Sequence, residues 1–165
     1  MQPVIRIQRE DFSLAHEYER LAADAGSGAV VTFVGKVRDV NQGEAVAGLS
    51  LEHYPGMTEK ALAEIVAEAA RRWPLLDCTV IHRIGDLLLA EQIVLVAVSS
   101  AHREAAFAAC HFIMDFLKTR APFWKRELTT DGRHYWVEAR HSDNQAADRW
   151  QAASSTGSES DSSKE

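Results

Sequence analysis

Apolar residues recur along this chain in two rhythms. Alternation, or a short unbroken apolar run, marks strands over residues 4–8, 29–38, 49–53, 79–84 and 93–99. The 29–38 segment is rich in β-branched residues, reads as buried, and ends on the cations Lys36 and Arg38. A three-to-four spacing marks helices. The first is capped by Ser13, carries Leu14, Tyr18, Leu21 and Ala25 on one face and closes at Gly26. The second buries Leu62, Ile65, Val66, Ala69 and Trp73, and Pro74 stops it. The third opens near His102 and Arg103 from a cap at Ser99 or Ser100. Its apolar face, from Ala106 and Phe107 through Cys110 and Met114 to Leu117, is broad enough to make it central.

Punctuation between these elements is as informative. Polar, glycine-containing residues 39–48 read as a mobile loop. Asp131-Gly132 reads as a hairpin turn between strands at 127–130 and 135–139, and a last helix is expected over 142–150. From Gln151 the chain is serine-rich and nearly free of large apolar residues, so disorder is expected there. The expectation is one α+β domain over residues 1–150, with mixed or antiparallel sheets and hairpin additions, and a tail over 151–165.

Composition narrows the function classes. A net charge of −6 argues against a nucleic-acid binder, so an anion site has to be a local basic patch on an acidic surface. Cys78 and Cys110 form neither a disulfide framework nor a Cys-x-x-Cys zinc pattern, as expected for a reducing compartment. The N-terminus has no apolar signal core and the apolar runs are too short to span a bilayer, so a soluble cytoplasmic protein is expected. Seven histidines raise the question of a metal, but there is no His-x-x-x-His and no paired carboxylates at ligand spacing; neither metal nor cofactor is expected. Glycine-rich phosphate loops and the Gly-x-Ser-x-Gly elbow are also missing.

The chemistry concentrates in residues 118–127, Lys-Thr-Arg-Ala-Pro-Phe-Trp-Lys-Arg-Glu. Pro122 disfavours the α region at Ala121, so the third helix should end near Arg120, and Phe123 and Trp124 can anchor the turn that follows. That would fix where Lys118 and Lys125 point, and catalytic groups need such support. Basic residues in a last helical turn also complement the helix dipole without any further role. The cationic alphabet adds weight: Arg is the default cation, and only Lys36, Lys60, Lys118 and Lys125 lie before the tail, where an amine that can exchange a proton is a distinct tool. Two further cationic places are Lys36 with Arg38 at a strand end and His102 with Arg103 at a helix start, where free N–H groups suit a phosphate. A lone Arg at a strand end commonly just meets solvent. Glu127 is expected to pair with a neighbouring cation, and Cys110 to be a small core residue.

Five motifs resemble one family. Phe-Val-Gly-Lys-Val-Arg (33–38), Leu-Glu-His-Tyr-Pro-Gly-Met (51–57), Ile-His-Arg-Ile-Gly (81–85), Ser-Ala-His-Arg (100–103) and the 117–127 segment occur, in order, as in the large, catalytic subunit of molybdopterin synthase. The resemblance runs from about residue 4 to Trp150; Ala90 stands where the family pattern has Gly. It implies an α/β hammerhead fold and a homodimer at the centre of a heterotetramer. The partner it implies is a ubiquitin-like small subunit whose C-terminal Gly-Gly carries a thiocarboxylate. The reaction it implies installs the dithiolene sulfurs of molybdopterin on cyclic pyranopterin monophosphate. By the same resemblance Lys118 and Lys125 are the catalytic lysines. Lys36, Val37, Arg38, His102, Arg103, Arg126 and Glu127 match the substrate-pocket segments. Lys118 is assigned to neutralising the donor's thiocarboxylate, Lys125 to general acid–base work, and Arg38, His102 and Arg103 to holding the phosphate. His102 and Arg103 serve either their own pocket or that of a dimer mate. The competing expectation is a binding module that docks a ubiquitin-like tail or a phosphorylated metabolite without chemistry.

Overall fold

The computed structural model describes residues 1–137 and 141–155. A four-stranded mixed sheet forms its centre: β1 (Val4–Gln8), β5 (Asp77–Arg83), β7 (Gln92–Ser100) and β2 (Ala29–Lys36), in that order. Only β1 and β5 run parallel; the β5–β7 and β7–β2 pairs are antiparallel. The unbroken apolar run of β7 follows from burial on both faces. Val94, Val96 and Val98 meet α2 (Met57–Arg72) and α3 (Arg103–Arg120), where Leu62, Val66, Phe112, Ile113 and Phe116 complete the main core. Leu95 and Ala97 point the other way, towards Leu21 of α1 (Leu14–Ala22) and Phe12.

A second, antiparallel sheet is built around β4 (Glu44–His53). Along one edge β4 pairs with β8 (Phe123–Thr129), which pairs with β9 (His134–Val137); along the other it pairs with β6 (Gly85–Leu88). Leu49, Leu51 and Leu87 form its core with Val37. Finally α4 (His141–Ser155) packs on α3 through Trp150, whose ring lies edge-on to Trp73 and Phe112, each 5.4 Å away, and whose Nε1 donates to Asp115 at 2.8 Å.

The α+β class and most elements stand as the pattern predicted, with informative exceptions. Residues 39–48 are not a loop: β3 (Val40–Asn41) and the start of β4 form a hairpin across Gln42 and Gly43, at φ 51° and 82°. Positive φ at both central residues is what a tight two-residue turn needs, and the polar side chains there simply face water. On α1 Leu14 and Tyr18 are exposed, while Glu17 is buried and paired with Arg6 and Arg20. Phe107, placed on the buried face of α3, is exposed. The cap of α3 is His102; the Ser100 hydroxyl donates to the Pro74 carbonyl at 2.7 Å instead. The expected 135–139 strand reaches Val137, beyond which its last two residues lie outside the described ones. The last helix runs to Ser155 rather than stopping at Trp150.

Candidate active site

The 118–127 segment is held on both flanks. Ala121, at φ −78° and ψ 127°, leaves the helix as the following proline requires. The Thr58 hydroxyl, fully buried, donates to the Pro122 carbonyl at 3.0 Å and accepts from Tyr54 N–H at 2.9 Å. Phe123 then stacks on buried His82 with ring centroids 3.8 Å apart and 17° between planes. Burial pushes the His82 imidazole down to about 4, so it is neutral at physiological pH.

Lys118 lies at the end of a stripe on α3. Phe107, His111, Met114 and Lys118 recur at helical spacing and, with Val31 and Phe33 of β2, line an open cavity of about 640 Å³. The Lys118 ammonium is half exposed and sits 3.6 Å from the Asp143 carboxylate of α4. The sequence offered no signal for this cavity, because it needs α3, β2 and α4 at once. Cys110 borders it, yet its thiol is pushed up to about 12 by burial, as is that of Cys78. Both therefore stay protonated and fit the core role expected of Cys110.

Lys125 and Glu127 stand on the same face of β8, opposite Leu51 and Leu49 in register, and so on the side of the cluster that includes Val37. Glu127 is buried and accepts from the Asn41 amide at 2.6 Å, in place of the cation expected. Arg126 alternates to the outer face, 5.9 Å from the Trp136 ring. Lys36 and Arg38 are exposed on either side of buried Val37, whose N–H donates to the Glu91 carbonyl at 3.0 Å.

His102 and Arg103 are at the other end of the molecule. They open α3, and Lys118 lies about 22 Å further along that helix at 1.5 Å per residue. Lys36 pairs with Gln92 at the start of β7, whereas Ser100, just before His102, ends it, about 27 Å away along the strand. One chain thus gathers Lys36, Val37, Arg38, Lys125 and Glu127 towards one end and leaves His102 and Arg103 at the opposite one. Among the described residues, no group of three His, Cys, Asp or Glu side chains is placed to hold a metal ion, and no helix is long and apolar enough to cross a membrane.

Fold and site together define an α+β domain with a pinned two-lysine turn beside an open, mostly apolar cavity. The MoaE protein family matches residues 7–120, and the chain belongs to that family. The molybdopterin synthase catalytic subunit of Vibrio cholerae is 66% identical over 147 residues, covering 89% of this chain and 97% of its own. Among solved structures, the molybdopterin biosynthesis MoaE protein from Burkholderia ambifaria is 53% identical with a TM-score of 0.77, covering 91% of this chain and 99% of that one. Molybdopterin synthase from Staphylococcus aureus is 36% identical with a TM-score of 0.74, covering 79% and 94%.

Proposed function

We infer that the protein is the catalytic subunit of a molybdopterin synthase, acting in molybdenum cofactor biosynthesis. Its substrate is cyclic pyranopterin monophosphate, and it installs the two dithiolene sulfurs. A catalytic subunit implies another, and the donor is a ubiquitin-like small subunit whose C-terminal Gly-Gly ends in a thiocarboxylate. The observation that carries this reading is Lys118 at the end of a cavity walled by Phe33, Phe107 and Met114. Such a cavity takes an extended, small-residue tail and presents an ammonium to its anionic end. The incoming group replaces the Asp143 carboxylate as the partner of Lys118.

Lys118 then stabilises the thiocarboxylate and the carboxylate left after its sulfur has gone. Lys125, next to the buried Glu127 on the inner face of β8, exchanges protons as carbon–sulfur bonds form. Arg38 holds the phosphate with forked, charge-assisted contacts and Lys36 adds a point charge, so that binding energy distant from the reacting carbons orients them. His102 and Arg103, about 22 Å from Lys118 along α3, reach a pocket of this kind from a second copy, which makes the homodimer part of the site. Arg126, on the outer face, is assigned no contact. The assembly is a heterotetramer in the cytoplasm, with the large-subunit dimer at its centre.

The test mixes purified protein, thiocarboxylated small subunit and pyranopterin, with Lys118→Arg and Lys125→Arg as variants. Each variant is expected to fold, to bind both partners and to lose dithiolene formation. Full product from both would end the catalytic-amine assignment.

A further inference from the structure

Arg83 ends β5 with its side chain only 8% exposed, and a guanidinium that deep needs partners for its donors. Its Nε donates to the Arg9 carbonyl at 3.0 Å. Its Nη1 donates to the Gln92 carbonyl at 3.0 Å and faces the Glu91 carboxylate at 3.4 Å, with Asp11 at 3.9 Å. Glu91 and Gln92 are the residues that meet the cationic end of β2. Lys36 pairs with Gln92, and Val37 N–H donates to the Glu91 carbonyl. The Val37 carbonyl in turn accepts from Ala90 N–H at 2.9 Å. The other Glu91 carboxylate oxygen accepts from Leu88 N–H, which closes the 88–91 turn on itself.

The pairing is irregular at this point. Register passes from Gly35 opposite Val94 to Lys36 opposite Gln92, so Ile93 is an extra residue on β7. A bulge bends its strand and re-aims the side chains around it, and it keeps one geometry only where its surroundings hold it. A Cβ on Gly35 would lie 2.8 Å from a Val94 methyl carbon, so the two strands already approach closely there.

We propose that Arg83 is a positioning residue for substrate binding: through Glu91 and Gln92 it sets the direction in which Lys36 and Arg38 leave β2. This rests on the reading of Lys36 and Arg38 as the phosphate-holding part of the pocket. Arg83 touches no substrate itself. Its loss frees the 88–91 turn and lets the strand end swing, which weakens anion binding while the two lysines of the 118–127 segment keep their geometry.

The experiment uses the complete complex with the small subunit and measures KM and kcat for cyclic pyranopterin monophosphate, together with thermal midpoints. The variants are Glu91→Gln, Arg83→Met and Arg38→Ala. Glu91→Gln removes the charge held by Arg83 at a partly exposed position, and so keeps the test open if Arg83→Met fails to fold. Expected is a KM rise of about five- to ten-fold in Glu91→Gln and more in Arg83→Met, part of the loss of a charge-assisted hydrogen bond, with kcat within about two-fold. Arg72→Met, which breaks a 2.9 Å contact to Glu68 on α2, serves as a stability control and should leave KM alone. A raised KM in Arg38→Ala with an unchanged one in Glu91→Gln and Arg83→Met overturns the positioning role. A fall in kcat at constant KM does the same. An unchanged KM in Arg38→Ala removes the phosphate-pocket reading itself, and the proposal with it.

Discussion

Ala90 shows how a single residue can work against its own backbone. It sits at φ 67°, in the left-handed region where a Cβ crowds the following carbonyl, yet its N–H anchors the turn to Val37. A glycine, which the resemblance leads one to expect at this place, would meet no such crowding. Ala90→Gly is expected to raise stability by about 0.5–1 kcal/mol, the strain relieved exceeding the entropy glycine adds to the unfolded chain. Urea unfolding of the two proteins measures it; an equal or lower midpoint for the glycine variant would show that the turn carries no strain. Lys118 is the complementary case. Its identity was legible as a tunable amine, but its partner Asp143 was not, because twenty-five positions and the two strands β8 and β9 separate them in the chain.

At the scale of elements, the helix-to-strand turn at Pro122 joins local and distant causes. Where it falls is local: Pro122 ends α3, and Phe123 is the first apolar residue free to turn inward. What rigidifies it is distant, since Thr58 belongs to α2 and His82 to β5. This stack makes the turn a source of pH dependence. His82 falls from its ordinary 6.5 to about 4 in the folded chain because burial disfavours the cation. Between those two values the unfolded chain binds a proton that the folded chain does not, so stability rises with pH across that window and falls on acidification through it. Replacing His82 with Phe keeps an aromatic ring against Phe123 and removes the titration. Unfolding free energies measured at pH 4.5 and 7 should therefore differ less in His82→Phe than in the native protein. An identical difference in both would assign the acid sensitivity to other groups.

For the whole molecule, the length of α3 decides what one chain can do. An 18-residue helix that runs back along β7 carries its cationic start and its lysine end to opposite ends of the domain. A site that needs both is shared between two copies. Mixed dimers of the proposed assembly test this directly: one subunit carries Lys118→Ala, the other Arg103→Ala, and each parent homodimer is expected to be inactive. If the site is shared, one of the two pockets in each mixed dimer holds both native residues; free exchange makes about half of the dimers mixed, so about a quarter of native turnover returns, each pocket acting independently. If every pocket uses its own chain's residues, both stay defective and no activity returns.

Alternation and helical spacing determined by themselves where most of the strands and helices run, because burial of an apolar face is periodic in the chain. Proline and glycine determined where they stop, through local sterics. The motifs from 33–38 to 117–127 likewise marked the candidate residues for chemistry, since side-chain type is written in the sequence. Only the tertiary structure decided which of those residues meet. The hairpin hidden in 39–48, the exposure of Phe107, the Asn41–Glu127 contact and the grip of Arg83 on Glu91 all depend on pairings across distant segments. Such pairings follow from how whole faces pack together, and no local window of the chain contains that information.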